Sequence, residues 1–395
     1  MSYQNQTFRS RRSRPVNRNR NNSRRPRGQY IDPARFVNIA KPAEAEEYTP
    51  ANTFDSFQVA QLLKANLENK GYKTPTPIQD KTIQVALEGK DVIGIADTGT
   101  GKTAAFAIPI LHQLMDNRSS KALIIAPTRE LAEQIIEELR WMARGSGLSG
   151  TLLIGGTSMS RQISELRGNP RVVVGTPGRI KDHIERRILR LSSFNILVLD
   201  EVDRMLDMGF VNDVRSILSQ LAEARQSFFF SATVDNRVAD LIQTFSHDPV
   251  TVSIKTGEAS ENIHQNVVSY ATSTQKIEKL HDVLIQGNVT KALLFEETRR
   301  SVEKLSKELV ARGFKANAIH GGKTQGQRQR ALDSFKNSEI NILVATDVAA
   351  RGIDVADITH VINYSIPQSY GDYVHRIGRA GRAGKIGHAL TFVGN

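Results

Sequence analysis

The sequence contains no cysteine among its 395 residues. A disulfide framework, a thiolate zinc site, an iron–sulfur cluster and a cysteine nucleophile are therefore excluded. No apolar run is long enough to span a bilayer, and the first residues lack the apolar segment of a signal peptide. The simplest interpretation is a cytoplasmic protein with no membrane contact. Aromatic residues make up only 6% and are not interleaved with basic ones, which argues against recognition of nucleic-acid bases by stacking.

The charge of the chain is concentrated at its N-terminus. Residues 1–28 contain nine arginines and no lysine or acidic residue, so the remaining 367 residues share only +3 of the net charge of +12. This segment has too few apolar side chains to offset the entropy of folding. We therefore predict that residues 1–50 form a disordered arginine-rich tail. It is either a solubilising tail or an electrostatic tether for nucleic acid; the tether is favoured because guanidinium groups bind phosphates in a bidentate manner.

Beyond the tail, 39% hydrophobic and 24% charged residues are typical of a globular protein long enough for two domains. From Phe54 onward, short apolar segments alternate with segments of helical periodicity. Continuous apolar strands that alternate with helices predict parallel sheets covered on both faces. The polar stretch 254–263 predicts a linker between two α/β domains, 51–253 and 264–395. The predicted strands are residues 92–96, 122–127, 151–155, 171–175, 196–200, 227–231, 266–271, 292–297, 315–320, 341–347, 360–364 and 389–393.

Residues 96–103, Ala-Asp-Thr-Gly-Thr-Gly-Lys-Thr, follow a predicted strand and precede a predicted helix. A glycine-rich turn at a helix N-terminus presents N–H groups to phosphate oxygens. Lys102 would reach the β- and γ-phosphates of a nucleotide, and the Thr103 hydroxyl would bind Mg²⁺. An ordinary βα loop is the alternative, which the Lys-Thr pair disfavours. The predicted phosphate-binding residues are Thr98, Gly99, Thr100, Gly101, Lys102 and Thr103.

Acidic residues follow the predicted strand 196–200. Carboxylates at the C-terminal ends of parallel strands point into the crevice where ligands bind. Asp200 is placed to hold Mg²⁺, partly through water, and Glu201 to orient and deprotonate an attacking water. An acidic helix N-terminus is the alternative, which the phosphate loop upstream disfavours.

Only the first predicted domain has a phosphate loop, which implies a nucleotide held at the junction of the two domains. The segment 375–382, His-Arg-Ile-Gly-Arg-Ala-Gly-Arg, supplies positive charge from the second domain. Such charge stabilises the transition state of phosphoryl transfer, by about 10³–10⁵ in rate. We expect His375 and Arg376 to be structural, linking these arginines to the acidic motif.

Further motifs follow in order along both predicted domains, and as a set they resemble those of the DEAD-box helicases, a family of ATP-dependent RNA helicases in superfamily 2. The resemblance covers about residues 54–393 and implies two tandem RecA-like domains. Two positions depart from it: Val202 stands where the family has alanine, and Gly322 where an acidic residue is usual. Valine is apolar and only slightly larger than alanine, so we expect hydrolysis to be retained.

The resemblance implies roles for individual residues. Segment 71–79 resembles the family's adenine-reading segment, with Phe54 upstream, Tyr72 stacking on adenine and Gln79 bonding its edge. Asp354 resembles the ribose contact, Arg379 and Arg382 the arginine fingers on the γ-phosphate, and Gln325 and Arg328 an extension of the fourth motif. Segment 231–233, which consists of Ser231, Ala232 and Thr233, resembles the family's segment that couples hydrolysis to strand separation. The implied contacts to the RNA backbone are Pro127, Thr128, Arg129, Gly156, Thr176, Pro177, Gly178, Arg179, Arg299 and Thr346.

The resulting hypothesis is an ATP- and Mg²⁺-dependent RNA helicase that binds single-stranded RNA largely through its backbone and separates short duplexes locally. Two alternatives remain open at this stage. One is a DNA-directed superfamily 2 helicase, because a preference for RNA requires a contact to the 2′-hydroxyl. The other is an ATP-gated RNA clamp without significant unwinding, because clamp and unwinder use the same domain closure.

Overall fold

The computed structural model describes residues 31–40, 48–97, 99–254, 262–350, 355, 357–381 and 386–394. They form two α/β units, each built on a parallel sheet with helices on both faces. This confirms the predicted fold class. No helix in the described part of the chain is long and apolar enough to cross a membrane.

The first unit contains a seven-stranded sheet with the order β3-β4-β2-β5-β6-β1-β7, in which every neighbouring pair is parallel. Its strands are β1 (Val92–Ile95), β2 (Ala122–Ile125), β3 (Gly150–Leu153), β4 (Val172–Gly175), β5 (Ile196–Leu199), β6 (Gln226–Ser231) and β7 (Val250–Ser253). Its helices are α1 (Gln61–Asn69), α2 (Pro77–Leu87), α3 (Lys102–Asp116), α4 (Arg129–Met142), α5 (Met159–Arg167), α6 (Pro177–Glu185), α7 (Val202–Asp207), α8 (Val211–Leu218) and α9 (Asn236–Phe245).

The second unit contains a six-stranded parallel sheet with the order β10-β11-β9-β12-β13-β8. Its strands are β8 (Ile263–Tyr270), β9 (Ala292–Phe295), β10 (Ala316–Ile319), β11 (Ile342–Ala345), β12 (His360–Asn363) and β13 (Gly387–Gly394). Its helices are α10 (Ser273–Leu284), α11 (Arg299–Ala311), α12 (Gln325–Lys336), α13 (Asp347–Ala350) and α14 (Tyr370–Ile377).

The central strands of each sheet are buried on both faces, because β2, β4 and β5 of the first sheet and β9 and β11 of the second are apolar throughout. In β6, Phe228 and Phe230 pack into the core on one face of the first sheet, and Phe229 packs into the core on the other. This alternation follows from the two-residue period of a strand. Alternate side chains along a strand therefore pack against helices on opposite faces of the sheet. The loops at the C-terminal ends of the strands remain available to form binding sites.

The sequence prediction missed one strand and misplaced the start of another. Strand β7 pairs with β1, but its alternating Val-Thr-Val-Ser pattern is short and half-exposed. Strand β8 begins at Ile263, within the predicted linker and three residues before the predicted strand, and it pairs with β13 along its whole length. The rest of the predicted linker, apart from Ile254 and Asn262, lies outside the described residues.

Residues 31–40 pack on the second sheet, although the sequence prediction placed them in the disordered tail. A 3₁₀ turn, Pro33–Phe36, buries Phe36 against Tyr373, with ring centroids 4.7 Å apart. Asn38 then forms an antiparallel bridge with Gln265 on the edge strand β8. The prediction was wrong here because it rested on the arginine-rich composition of residues 1–28 and gave no weight to the aromatic side chain beyond them. Residues 1–30 lie outside the described residues.

Candidate nucleotide site and nucleic-acid interface

The phosphate loop connects β1 to α3, as the sequence predicts. Gly101 has φ +92°, and a Cβ there would lie 2.4 Å from Nε2 of Gln79, so both backbone and space require glycine. Lys102 is buried, and its Nζ donates to the carbonyl of Ala96 at 2.8 Å. Thr103 follows in the first turn of α3, whose N-terminal N–H groups face the loop. Thr98 lies outside the described residues.

The predicted adenine-reading segment is joined to the phosphate loop by two hydrogen bonds. The Thr76 hydroxyl donates to the carbonyl of Thr100 at 2.8 Å, and Nε2 of Gln79 donates to the carbonyl of Gly101 at 3.2 Å. The Oε1 atom of Gln79 accepts the N–H of Thr76 at 3.0 Å, which completes a capping box on α2. These hydrogen bonds therefore couple the position of Gln79 to that of the phosphate loop.

Tyr72 belongs to an aromatic cluster. Its ring lies edge-on to Phe54 at 5.5 Å and tilted against Trp141 at 5.6 Å, and its hydroxyl donates to Oε1 of Glu138 at 3.3 Å. Phe54 is buried, whereas Tyr72 and Trp141 are half-buried. The sequence analysis identified Phe54 and Tyr72 but not the support from α4, because sequence spacing does not reveal that α4 reaches this segment.

Asp200 and Glu201 lie at the C-terminal end of β5. Asp200 is buried, and its Oδ1 has no hydrogen-bond partner in the described structure. Burial raises the pKa of Asp200 to about 6, although the Lys102 charge opposes the shift. An unpaired buried carboxylate oxygen that interacts with the charge of Lys102 in the phosphate loop fits a divalent cation. The described residues contain no group of three or more acidic or histidine side chains able to hold a metal by themselves, so such an ion would need further oxygen ligands from a nucleotide and from water.

Glu201 is the N-cap residue of α7 and has φ +54°, in the left-handed region that favours glycine. Its Oε2 forms an ion pair with Nη1 of Arg204 at 2.5 Å. Burial alone would raise the pKa of Glu201, but the charges of Arg204, Arg379 and Lys102 outweigh burial and lower it. Glu201 is therefore held ionised, and one of its cations, Arg379, comes from the second unit.

A small interdomain pocket brings the second unit to the acidic motif. Its lining includes Arg204 from the first unit and His375, Arg376 and Arg379 from the second. Burial lowers the pKa of His375, and the positive charge of Arg204 lowers it further. Sequence reasoning missed Arg204, which is buried and contacts Glu201; an arginine directly after the acidic motif was the available signal.

Arg376 is held entirely within the second unit. It binds both carboxylate oxygens of Asp347 at 2.5 and 2.7 Å and donates to the carbonyl of Ser365 at 2.7 Å. This bidentate pair fixes the start of α13 against α14. Arg376 is structural as expected, but the predicted link to the acidic motif is wrong for this residue, because its hydrogen bonds go to Asp347 and Ser365 of its own unit. Arg379 follows one turn later and is also buried, whereas Arg382 lies outside the described residues.

The predicted coupling segment begins at the last residue of β6, Ser231, continues with Ala232 and Thr233, and contacts the acidic motif through Asp203. The N–H and the hydroxyl of Thr233 both donate to Oδ2 of Asp203, at 3.0 and 2.9 Å. The Ser231 hydroxyl accepts the N–H of Asp203 at 3.3 Å. Asp203, to which the sequence analysis gave no role, thus connects the hydrolytic motif to this segment.

Arg129 lies against two consecutive glycines, Gly155 and Gly156, which we call the glycine pair. Thr128 caps α4, accepting the N–H of Leu131 at 3.3 Å, and places Arg129 at the first helical position. A Cβ at Gly155 or Gly156 would lie 3.0 or 2.4 Å from the guanidinium nitrogens of Arg129. The two glycines therefore leave room for the arginine, and Pro127 is buried directly before the cap.

The segment 176–179 starts α6. Thr176 is its N-cap and Pro177 its first residue, although the Thr176 side chain makes no capping bond. No atom would lie within 4 Å of a Cβ at Gly178. Nη1 of Arg179 donates to Oε1 of Gln162 at 3.3 Å. An open helix N-terminus beside an arginine is suited to binding a phosphate.

In the second unit, Arg299 begins α11 and is exposed, and a Cβ at Gly321 would lie 3.3 Å from its guanidinium. Thr346 follows β11, and its carbonyl accepts the N–H groups of Ala349 and Ala350. Asp354, the predicted ribose contact, lies outside the described residues.

Two contacts from α12 to α4 join the units. Arg328 Nη2 lies 2.6 Å from Oε1 of Glu130, with both side chains buried, and Nε2 of Gln325 donates to both oxygens of Glu133 at 3.1 Å. Burial raises the pKa of Glu133 to about 7, with a further contribution from the Glu130 charge. Glu130 directly follows Arg129, so this contact also reaches the predicted RNA-binding segment.

The order of strands divides these segments into two groups. The phosphate loop, the acidic motif and the coupling segment follow the adjacent strands β1, β5 and β6. Arg129, the glycine pair and the segment 176–179 follow β2, β3 and β4 at the other end of the sheet. The candidate nucleotide-binding residues and the candidate phosphate-binding residues of the first unit therefore follow different groups of strands in the same sheet.

Comparisons with known proteins agree with this geometry. The sequence model of the "DEAD/DEAH box helicase" family matches residues 76–241, and that of the "Helicase conserved C-terminal domain" matches residues 275–384. The chain is 46% identical to ATP-dependent RNA helicase CshA of Listeria monocytogenes over 86% of its length and 66% of that protein. It is 45% identical to ATP-dependent RNA helicase CshA of Limosilactobacillus reuteri, over 84% of its length and 67% of that protein.

A solved structure shares the arrangement of both units. S. cerevisiae Dbp5 bound to RNA and ADP BeF3 is 28% identical, with a TM-score of 0.78, over 87% of this chain and 90% of that one. The chain spans about two thirds of the length of the curated relatives that it matches, and slightly less in the Listeria protein. The two α/β units are therefore of the RecA-like type.

Proposed function

This chain belongs to the DEAD-box family of ATP-dependent RNA helicases, and from that premise we propose that it couples ATP binding and hydrolysis to RNA binding and local separation of RNA duplexes. One observation carries the proposal. Arg379 of the second unit lines the same pocket as Arg204, whose guanidinium forms the ion pair with Glu201 of the first unit. A hydrolytic site that needs residues from both units is complete only when they close, so anything that favours closure also favours hydrolysis.

The nucleotide would be held by residues on both sides of the interdomain cleft. In the first unit these are Tyr72 and Gln79 for the base, Lys102 for the β- and γ-phosphates, and the N–H groups at the start of α3. Glu201, kept ionised by its arginines, would orient the attacking water. Arg379 and Arg382 would stabilise the charge that spreads over the γ-phosphate as the bond to it breaks.

Mg²⁺ fits the described residues. The unpaired Oδ1 of buried Asp200 supports this, as does the hydroxyl of Thr103 at the start of α3. When bound, Mg²⁺ would neutralise charge on the phosphate oxygens. Asp200 would hold the ion partly through water, and Lys102 would approach the same phosphates without binding the metal.

RNA would bind along the surface formed by Arg129, the glycine pair and segment 176–179, and continue to Arg299 and Thr346 of the second unit. The contacts available are helix N-termini, arginines and glycine backbone, which recognise phosphate rather than base. The dense charge of residues 1–28 is proposed to tether RNA. Deleting residues 1–30, but not the packed segment after them, should flatten the slope of log affinity against log salt by about 0.7 for each phosphate that the tail neutralises.

Coupling is assigned to Ser231, Ala232 and Thr233, because Asp203 joins them to Glu201 within three residues. A change at the hydrolytic motif would be passed to this segment through Asp203, and the contact from Arg328 to Glu130 would link the second unit to the residue next to Arg129. We place this activity in the cytoplasm, where ATP and RNA are both available.

The experiment that tests the proposed function is strand separation of a short RNA duplex with a single-stranded overhang. With ATP the protein should release the strand, and with a non-hydrolysable analogue it should bind without turnover. Release of a matched DNA duplex at the same rate would favour a DNA-directed helicase. ATP-dependent RNA binding without any strand release would favour the clamp.

A further inference from the structure

Helix α11 presents an uncompensated basic face. Arg300, Lys304 and Lys307 are spaced by four and three residues, so they lie on one side of the helix, and all are exposed. The opposite side, with Val302 and Leu305, is buried in the core. Among the described residues, no carboxylate lies within ion-pair distance of these three side chains or of Arg299.

This face borders an open groove whose lining is almost entirely basic, formed by Arg299, Arg300, Lys304, Lys307, His320 and Gly322. The groove contains one carboxylate, Glu303, whose Oε1 lies 2.7 Å from His320 and 3.1 Å from Nζ of Lys323. Because Lys323 compensates that charge, the remaining cations give the groove a net positive charge.

The absence of a side chain at position 322 keeps the groove open. A Cβ at Gly322 would lie 3.0 Å from the His320 ring and 3.5 Å from Cδ of Arg299. Gly322 has no positive φ that requires glycine, so its backbone does not explain the residue. An acidic side chain here would enter the groove beside Arg299 and neutralise part of its charge.

A surface of this kind suits a polyanion. Like charges on successive turns destabilise a helix unless counter-charges approach from outside, and lysines attract phosphates as point charges without selecting a base. The groove begins at Arg299, which the proposed function already places on the RNA path. An RNA strand that leaves the interdomain site at Arg299 would therefore continue along the cations of α11.

We propose that this groove is an accessory RNA-phosphate site that holds the strand beyond the segment bound between the two units. The proposal rests on the proposed function. It predicts that α11 contributes to the rise of RNA affinity with length, whereas α11 does not contribute to the binding of a short strand or to the rate of hydrolysis at saturating RNA.

The test compares two pairs of substitutions that remove the same charge from two different helices of the second unit. Lys304→Ala with Lys307→Ala removes cations from the groove, and Arg330→Ala with Lys336→Ala removes exposed cations from α12. Affinity is measured for oligouridylates of about 6 and about 20 nucleotides across a salt series. The groove pair should bind the long strand roughly three- to tenfold more weakly, with a salt slope lower by about 0.7 per phosphate contact. The control pair should match the wild type.

A second comparison separates charge from shape. Gly322→Asp and Gly322→Asn place side chains of nearly equal size in the groove, but only the first adds a negative charge. The aspartate variant should lose affinity for the long strand and the asparagine variant should lose much less, with equal binding of the short strand. Equal affinities and slopes for the groove and control pairs would overturn the accessory site. A wild type that binds neither strand would instead overturn the proposed function on which it rests.

Discussion

Nη2 of Arg328 lies 2.6 Å from Oε1 of Glu130, and the pair joins the two units through side chains that are both almost completely buried. An ion pair this dry is costly to break, because the remaining partner is left as an unpaired buried charge. Glu130 is the residue next to Arg129, and Arg328 belongs to helix α12 of the second unit. The pair therefore links closure of the two units to the predicted RNA-binding segment.

Breaking this pair should weaken closure. Arg328→Met or Glu130→Gln alone should cost about 3–5 kcal/mol of the closed state, seen as a higher RNA concentration for half-maximal hydrolysis. The double variant should lose less than the sum, because neither charge is then left alone. Strictly additive losses would show that the two residues act independently and would refute the coupling.

Glu133 should make closure depend on pH. Its pKa is raised from 4.5 to about 7 in the closed structure, so closure binds a proton if the carboxyl is solvated when the units separate. Closure is then favoured at low pH, and this contribution is lost as the pH rises through about 7. At pH 8, Glu133→Gln should bind RNA up to roughly tenfold more tightly than the wild type. The RNA affinity of this variant should also change less with pH between 5 and 8.

The matched control is Glu137→Gln, which removes an exposed carboxylate one turn away on the same helix. Its effect should be small, because Glu137 contributes only a minor repulsion to Glu133. Identical pH profiles for the wild type and Glu133→Gln, measured as RNA affinity with a non-hydrolysable ATP analogue, would contradict the account.

Substitutions at Lys102 and at Glu201 should impair different steps, nucleotide binding and hydrolysis respectively. Lys102→Ala removes the cation from the phosphates and should weaken nucleotide binding. Glu201→Gln leaves the phosphate loop intact and should bind nucleotide and RNA while hydrolysis falls by about 10²–10⁴-fold. Nucleotide affinity and single-turnover hydrolysis separate the two effects. A wild-type hydrolysis rate in Glu201→Gln would refute the role of that carboxylate.

Phe36 should stabilise the second unit although it precedes the first in the chain. Phe36→Ala removes a buried ring from contact with Tyr373 and should cost about 3–5 kcal/mol in the stability of that unit. Val37→Ala, at a side chain that is 55% exposed, should change stability by less than about 0.5 kcal/mol. The denaturant midpoint of the second unit's transition measures both, and equal midpoints would mean that residues 31–40 dock without stabilising.

The sequence predicted the layers of the fold because buried parallel strands leave continuous apolar segments bounded by turn residues, as in β5 and β11. It also placed the phosphate loop and the acidic motif, whose chemistry is local. Contacts made between distant segments leave no such pattern. Neither the packing of Phe36 on Tyr373 nor the link from Asp203 to Thr233 could be read from spacing, because each depends on which strands become neighbours.

Arg204 illustrates a further limit of prediction from the sequence. Its charge was visible in the sequence, but its burial against Glu201 and the pocket that it lines with His375 and Arg379 were not. An arginine that follows an acidic motif is ordinarily a solvated residue in the first turn of a helix, so the sequence alone favoured no role for it.

The central claim is that one hydrolytic site is completed across the two units when RNA binds. The most direct measurement is the steady-state rate of ATP hydrolysis without nucleic acid, with single-stranded RNA and with DNA of the same sequence, in the wild type and in Arg379→Ala. RNA should raise the wild-type rate and DNA should not, and Arg379→Ala should lose the RNA response while still binding nucleotide. Full RNA stimulation in Arg379→Ala, with its fold intact by thermal unfolding, would contradict the account.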